Sequence, residues 1–252
     1  MKIHFAVREN TPASALLEPL AKAYGQVPLE KAELVVTVGG DGAVLHALHS
    51  VLPFALPVYG MNKGSFGFLT NACTIDHLLE RLQEAHRLSI FPLVMEATTM
   101  TGETHRRLAF NEVYLLRTSR LTARIAVSTN GTLRLPMLVG DGVLVATPLG
   151  STAYNSSARG PILPLDANML ALTPINAFRP RNWRGALISS RTHLEFSVLG
   201  GQERPTKAVA DFSEISEVSH VAVSLDSQNP AVLLFDKEAP LEDRILGEQF
   251  SL

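Results

Sequence analysis

The sequence predicts an α/β plus β fold, with an N-terminal doubly wound α/β domain followed by a C-terminal β-rich domain. Three observations predict it. Strand-like runs alternate with helical periodicity up to about Phe91, the pattern of a parallel sheet with crossover helices. Beyond Phe91 the helical periodicity disappears and short alternating segments replace it. Within the first region, residues 34–48 (LVVTVGGDGAVLHAL) join a buried strand to a helix through a glycine turn.

The elements follow in order. Residues 2–7 read as a strand. Thr11-Pro12 opens a helix with proline at its first position, Leu16, Leu20 and Tyr24 share one face, and Gly25 ends it. Residues 34–38 are a β-rich run without polar alternation, as in a parallel sheet buried on both faces. A helix runs from about Ala43 to Leu52, and Pro53 and Pro57 bracket a connection to a short strand at 58–61. A glycine loop, 62–68, precedes a helix capped by Thr74 and reaching about Leu88, with Ile75, Leu78, Leu79 and Leu82 inward.

In the second region, strands are expected at 93–99, 107–116, 123–129, 143–146, 186–189, 194–198, 208–210 and 221–225. Asn130-Gly131 is a two-residue hairpin signal leading into 133–135. The tail contains a strand-like piece at 231–235 and a short helix at 241–246. The expected domains are therefore 1–91 and 92–225, followed by a tail at 226–252.

Composition narrows the function. The chain has 252 residues, 46% apolar and 18% charged, enough for a sizeable core. A net charge of -2 with no long basic run argues against a nucleic-acid partner. The single cysteine, Cys73, excludes an internal disulfide and suits a reducing compartment. Lys2 precedes only a short apolar segment before Arg8, so no signal peptide is read, and no run approaches the ~18 apolar residues of a membrane span. The expectation is a cytoplasmic protein with no membrane partner.

Three stretches could carry chemistry. The turn Gly39-Gly40-Asp41-Gly42 lies at the carboxyl end of a parallel strand, where open sheets bind ligands. Its glycines let backbone N–H groups approach a phosphate, and the following helix N-terminus favours an anion. Asp41 would repel that phosphate unless it holds Mg²⁺ or accepts a proton. An ordinary turn with Asp41 as a helix cap is the alternative. Neither G-x-x-x-x-G-K-[ST] nor G-x-G-x-x-G occurs, which removes the P-loop and leaves an ordinary dinucleotide-binding turn unsupported. The second stretch is Asn111-Glu112, two polar residues at the start of an apolar strand. An amide can meet an adenine edge and a carboxylate can accept from ribose hydroxyls, although two solvated residues at a strand end fit as well. The third runs from Gly140-Asp141-Gly142 through Thr147-Pro148-Leu149-Gly150 to Ser151-Thr152-Ala153-Tyr154. It offers hydroxyls and backbone N–H groups to an anion or nucleotide, and a polar turn fits the spacing equally.

Taken together, GGDG at 39–42, NKGSFGFLT at 62–70, NE at 111–112 and DGVLVATPLGSTAYNSSARGPIL at 141–163 resemble the NAD kinase family over the whole chain. GGDG alone is shared with diacylglycerol-type lipid kinases and 6-phosphofructokinases, whereas the TPxGSTAY pattern is far more specific. The resemblance implies an α/β domain, a β-rich domain and a tail returning to the first domain. It implies ATP-dependent phosphorylation of the 2′-hydroxyl on the adenosine ribose of NAD, with Mg²⁺ or another divalent cation accompanying ATP. Asp41 matches the family's general base, and Gly39, Gly40 and Gly42 supply backbone near the phosphates. Asn111 and Glu112 match its nucleotide-binding pair. Thr152, Ala153, Tyr154, Asn155, Ser156 and Ser157 match the segment lining the adenosine, with Leu149 in the preceding turn and Phe68 flanking the adenine. Asp141 matches an acid reaching the NAD site from a neighbouring subunit, so the resemblance implies a homodimer or homotetramer. Leu149 stands where Thr or Ser is usual and Arg159 where the family has glycine. Phe212 follows Asp211 where a small or polar residue is common.

Other features are set aside. His46 and His49 lack further metal ligands, although His46 lies close enough to the Asp41 turn to meet phosphate. Cys73 reads as a buried thiol, and Arg179, Arg181, Trp183 and Arg184 as a surface or subunit contact. A lipid or sugar kinase sharing the GGDG corner is one rival, and an NAD(P)-binding protein without chemistry is another.

Overall fold

The computed structural model describes residues 1–7, 12–62 and 67–237. The expected helix at 241–246 and the middle of the glycine loop lie outside the described residues. The chain divides into two units, one formed by Met1–Ile90 and the segment from Gln228 on, the other by Phe91–Ser227.

The first unit contains β1 (Ile3–Val7), α1 (Leu17–Tyr24), β2 (Leu34–Val38), α2 (Asp41–Val51), β3 (Val58–Asn62), β4 (Asn71–Ala72), α3 (Leu78–Glu84) and β5 (His86–Ile90). The second contains β6 (Leu93–Thr99), β7 (Thr104–Ala109), β8 (Glu112–Arg117), β9 (Ala123–Thr129), β10 (Thr132–Gly140), β11 (Gly142–Ala146) and the short α4 (Tyr154–Ser157). It continues with β12 (Met169–Ile175), β13 (Ala186–Ser189), β14 (Leu194–Val198), β15 (Thr206–Ala210), β16 (Ser213–Ile215) and β17 (Val218–Leu225). The chain then re-enters the first unit as β18 (Ala231–Phe235).

The first unit's sheet runs β1-β2-β3-β18-β5, with β4 paired to the end of β3. β1, β2, β3 and β18 are parallel, and β5 closes the edge antiparallel to β18. One face, bearing Phe5, Val36, Tyr59 and Met61, forms a core with Leu20 of α1 and Leu78 and Leu82 of α3. On the opposite face Val44 of α2 packs so closely on Gly60 that a Cβ there would sit 2.5 Å from its Cγ2. Helices on both faces and the returning tail strand are the architecture the sequence implied.

The stretch after the glycine loop departs from expectation. The helix expected from Thr74 to about Leu88 spans only Leu78–Glu84, and Leu79 is 39% exposed rather than inward. Residues 86–90 instead pair with β18, so the ladder overrides local helix preference. Leu78 and Leu82, one turn apart, are the buried pair, and Ile75 packs beside them from outside the helix.

The second unit is two antiparallel sheets, ordered β10-β9-β14-β17-β6-β7 and β13-β12-β11-β8-β15-β16. Alternate residues of both sheets, among them Met95, Val113, Leu115, Ile125, Val143, Leu170, Phe196 and Val223, form one core. The outer face of the second of these sheets carries a smaller cluster of Leu144, Ala146, Leu163, Ala171 and Ile175. Asn130 (φ 48) and Gly131 (φ 74) make the expected hairpin turn. The single strand expected at 107–116 is two strands in different sheets, β7 and β8, broken at Phe110-Asn111. The sequence reading also lacked β12 and β16.

The returning strand is fastened at its end. Arg81 Nη2 donates to Asp236 Oδ2 at 2.6 Å, its Nε to Oδ1 at 3.2 Å, and the Tyr59 hydroxyl donates to Oδ1. Burial, then the Asp236 carboxylate, push the Tyr59 phenol upward and keep it a donor. Asn71 donates to Gly60 O and Leu234 O, both at 3.1 Å, and its Oδ1 accepts the Asp236 N–H at 2.9 Å. Asp236→Ala strips the acceptor from two donors at once. We expect it to cost about 2–4 kcal/mol, below the ~3–5 kcal/mol of a fully buried pair because the two side chains remain 20% and 18% exposed. Tyr59→Phe should cost about 1 kcal/mol. Urea unfolding measures both, and a loss below about 0.5 kcal/mol for Asp236→Ala would reduce the contact to a surface ion pair.

Candidate active site

In the first unit, β2 ends at Val38 and α2 begins at Asp41, two residues earlier than the apolar spacing suggested. Asp41 is the first helical residue and Gly40 the N-cap, and no side chain caps the helix. The carboxylate reaches across to the glycine loop instead. Its Oδ2 accepts the Phe68 N–H and its Oδ1 the Leu69 N–H, each at 2.9 Å. The geometry therefore sets aside the helix-cap alternative. A groove of about 1020 Å³ opens beside the corner, lined by Val38, Gly39, Gly40, Gly42, His46 and Asn62 among others. The amides of the first turn of α2 lie at this end, where a helix favours an anion. Phe68 is half-buried and His46 exposed.

In the second unit the break between β7 and β8 builds the other half of the candidate residues. Strand pairing lapses at Phe110-Asn111, and Asp211 replaces it. The Phe110 N–H donates to Asp211 Oδ2 at 2.8 Å, and the Asn111 and Glu112 N–H groups donate to Oδ1 at 3.0 and 3.3 Å. Asp211 holds a left-handed backbone (φ 51) in the turn between β15 and β16. From the other side, Thr147 Oγ1 donates to Phe110 O at 2.6 Å, and the Thr147 N–H donates to Asn111 O at 2.9 Å. Gly150 lies so near that a Cβ would stand 2.2 Å from Asn111 O, so this turn admits no side chain there.

Glu112 is 7% exposed, and its Oε2 is the one buried side-chain oxygen among the described residues with no hydrogen-bond partner. Burial, then the neighbouring Asp211 charge, push its carboxyl up to about 8 against the opposing Tyr154 backbone N–H. The Tyr154 ring meets Tyr114 edge-on, with centroids 5.0 Å apart.

The segment after Pro148 is a 3₁₀ turn, Leu149–Thr152, followed by α4. Leu149 is buried, so the position carries packing in place of a hydroxyl. Thr152, Ala153, Tyr154 and Ser156 are half-buried and Ser157 is exposed. Asn155 differs from its neighbours. It is fully buried, donates to Ser151 O at 3.2 Å and Pro161 O at 2.8 Å, and accepts from Thr173 Oγ1 at 2.7 Å. Its amide fixes the segment from within. Arg159 stands in the left-handed region (φ 63), the conformation a glycine would hold without strain.

Asp141 precedes β11. It accepts from Arg117 Nε at 2.6 Å and from Asn176 Nδ2 at 2.9 Å, and these hydrogen bonds, Asn176 first, hold its carboxyl below the usual range. Asp41, Gly39, Gly40, Gly42 and Phe68 thus gather in one unit. Asn111, Glu112, Asp141, Leu149 and residues 152–157 belong to the other. The sequence reading noticed Asp211 only as the neighbour of Phe212. The available signal was an aspartate in a tight turn, Ala210-Asp211-Phe212-Ser213, where its carboxylate is free to seek backbone donors.

Comparison with known proteins defines the chemistry. Residues 20–87 match the ATP-NAD kinase N-terminal domain and residues 110–220 the ATP-NAD kinase C-terminal domain. The chain is thus a nucleotide kinase built from an α/β unit and a β-sandwich unit. The NAD kinase of Caulobacter vibrioides is 47% identical over 250 residues, covering 99% of this chain and 96% of that protein. The NAD kinase of Rhizorhabdus wittichii is 49% identical, covering 96% and 95%. The chain belongs to the NAD kinase family. Two solved structures share the fold. Yeast NADH kinase complexed with NADH has a TM-score of 0.84 at 21% identity, covering 100% of this chain and 89% of the other. An NAD kinase from Archaeoglobus fulgidus in complex with ATP has a TM-score of 0.78 at 24% identity, covering 98% of each.

Glu112 generates a pH prediction. Its carboxyl keeps its proton to about pH 8 in the fold, against an ordinary value of 4.5. The fold therefore binds the extra proton, and stability falls as pH rises from about 4.5 to about 8. Glu112→Gln stays neutral in both states. Its thermal midpoint should equal the parent's at pH 4 and exceed it by a margin that grows up to pH 8. Midpoints that run parallel across this range would show that the buried carboxyl is not protonated.

Proposed function

We propose that this member of the NAD kinase family uses Asp41 as the general base for transfer of the ATP γ-phosphoryl group to the 2′-hydroxyl on the adenosine ribose of NAD, giving NADP. The observation that carries the reading is the direction of the Asp41 carboxylate. It stands at the glycine corner between β2 and α2, does not cap its own helix, and takes one N–H on each oxygen. A carboxylate has about four acceptor sites, so lone pairs remain for a hydroxyl proton. Phosphoryl transfer asks the protein mainly for positioning and charge stabilisation, with the base taking the proton as the oxygen attacks. The groove beside Gly39–Gly42 suits the ATP phosphates. Mg²⁺ enters with ATP as part of the donor complex, held mainly by phosphate oxygens and water.

For NAD, Glu112 supports the assignment best. Its unpartnered Oε2 is an acceptor that ribose hydroxyls would satisfy. Asn111 would meet the adenine edge, Thr152, Ala153, Tyr154, Ser156 and Ser157 would line the adenosine, and Phe68 would flank its base. Asn155 contributes by holding that segment. Asp141 would serve the NAD site of a partner subunit, in a homodimer or homotetramer. A reducing cytoplasm suits a chain with one cysteine.

Two experiments test this reading. Asp41→Asn keeps size and one of the two N–H bonds but cannot take the proton, so kcat should fall by about 10²–10⁴. NAD dissociation, measured by calorimetry, should change far less. Near-normal kcat would make Asp41 a turn former, and equal losses of binding and kcat would make it a ligand holder. For assembly, light scattering at assay concentration should give a dimer or tetramer, and a fully active monomer would remove the intersubunit role of Asp141.

A further inference from the structure

We infer that Gly67 and Thr70 are positioning residues for the Asp41 carboxylate. The inference rests on the proposed role of Asp41 as the base.

Space demands a glycine at position 67. A Cβ at Gly67 would stand 2.2 Å from Asp41 Oδ1 and 2.9 Å from its Cγ. What would yield is the carboxylate end of the Asp41 side chain, which would turn away from its two N–H donors, since Thr70 is fully buried. The backbone at 67–69 therefore approaches the carboxylate as closely as a chain can, and this approach lets two successive N–H groups grip it.

Thr70 holds the approach in register. It is fully buried, its Oγ1 accepts the Gly67 N–H at 3.2 Å, and the same Oγ1 lies 2.9 Å from the position a Gly67 Cβ would take. Leu69 is 5% exposed, and Asn71 is pinned to Gly60 O, Leu234 O and the Asp236 N–H. The grip on Asp41 is thus anchored, through Thr70 and Asn71, to the sheet and its returning strand. Charge-assisted N–H bonds to each oxygen fix the plane of the carboxylate and so the direction of its remaining lone pairs. A base must meet its proton within hydrogen-bond reach, and a misplacement near 1 Å can cost about 10²-fold.

The test is a double-mutant cycle in the full chain with NAD and Mg·ATP. Gly67→Ala should lower kcat by about 10-fold to 10²-fold while the calorimetric NAD affinity and thermal midpoint stay close to the parent's. In the Asp41→Asn background the same substitution should cost no further kcat, because the group it displaces no longer acts. A further loss of the same size in that background would mean a structural role and overturn the inference. So would parental kcat for Gly67→Ala when Asp41→Asn is inactive. Near-normal kcat for Asp41→Asn would instead overturn the base assignment itself. Thr70→Val, which keeps shape and removes the acceptor, covers the case in which Gly67→Ala fails to fold. It should lower kcat without a matching change in KM, and Thr70→Ser should recover most of the loss. Equal kcat in the two Thr70 variants would also overturn the inference.

Discussion

The placement of Asn111 and Glu112 in the second unit depends on how the chain satisfies its backbone where it leaves one sheet for the other. After Ala109 the strand abandons its partner, and at Glu112 it joins a different sheet. Phe110 is 1% exposed and Glu112 7%, so the N–H groups on either side of Asn111 lie away from water. A single carboxylate, Asp211, collects three of them, and Thr147 ties the Phe110 carbonyl. Unpaired, each buried group would cost about 1–3 kcal/mol. With the backbone satisfied by side chains brought from the turn after β15 and from the turn after β11, the side chains of Asn111 and Glu112 need not satisfy it. The crossing is therefore a display device. The polar pair that looks like a frayed strand end in the sequence is held from two separate turns of the unit.

The first unit uses the same chemistry in the opposite sense. At Asp211 the carboxylate is spent on organising backbone; at Asp41 the backbone is arranged to organise a carboxylate. The difference lies in how many acceptor sites the structure fills. Asp211 takes three N–H groups on two oxygens, whereas Asp41 takes two, one on each. Both depend on close approach, of the loop at Gly67 in one unit and of the Gly150 turn onto Asn111 in the other. In both places the glycine makes room and the aspartate makes the bonds.

The architecture was legible because periodicity reports burial. Residues 34–38, 93–99, 123–129 and 231–235 fall on strands with the same bounds, since each is a continuous or alternating run set off by breakers. Where a residue answers to a distant partner, the reading failed. Residues 86–90 have helical composition, and only the antiparallel partner β18, far along the chain, makes them a strand. Met169–Ile175 contains a proline that argues locally against a strand, yet it is a full member of its sheet between β11 and β13. The site behaves likewise. The residues that would touch ligand lie in short recognisable motifs. Those that hold them act through side-chain bonds to backbone: Asp211 and Asn71 reach segments far away in sequence, Thr70 a residue three positions back, and no local pattern marks such bonds.

Glu112 shows what this support permits. A buried carboxyl with an unpartnered oxygen is a liability, and the fold meets it by keeping the proton on. Asp211 reinforces that choice, because the carboxylate that organises the crossing also repels a second negative charge beside it. Hydroxyl donors act the other way, since hydrogen bonds to the charged form favour it. On the proposed assignment, a ribose delivering its hydroxyls to Glu112 draws the group towards ionisation, so occupation of the site and release of its proton become one linked event. The stability given up at this position is then the counterpart of recognition.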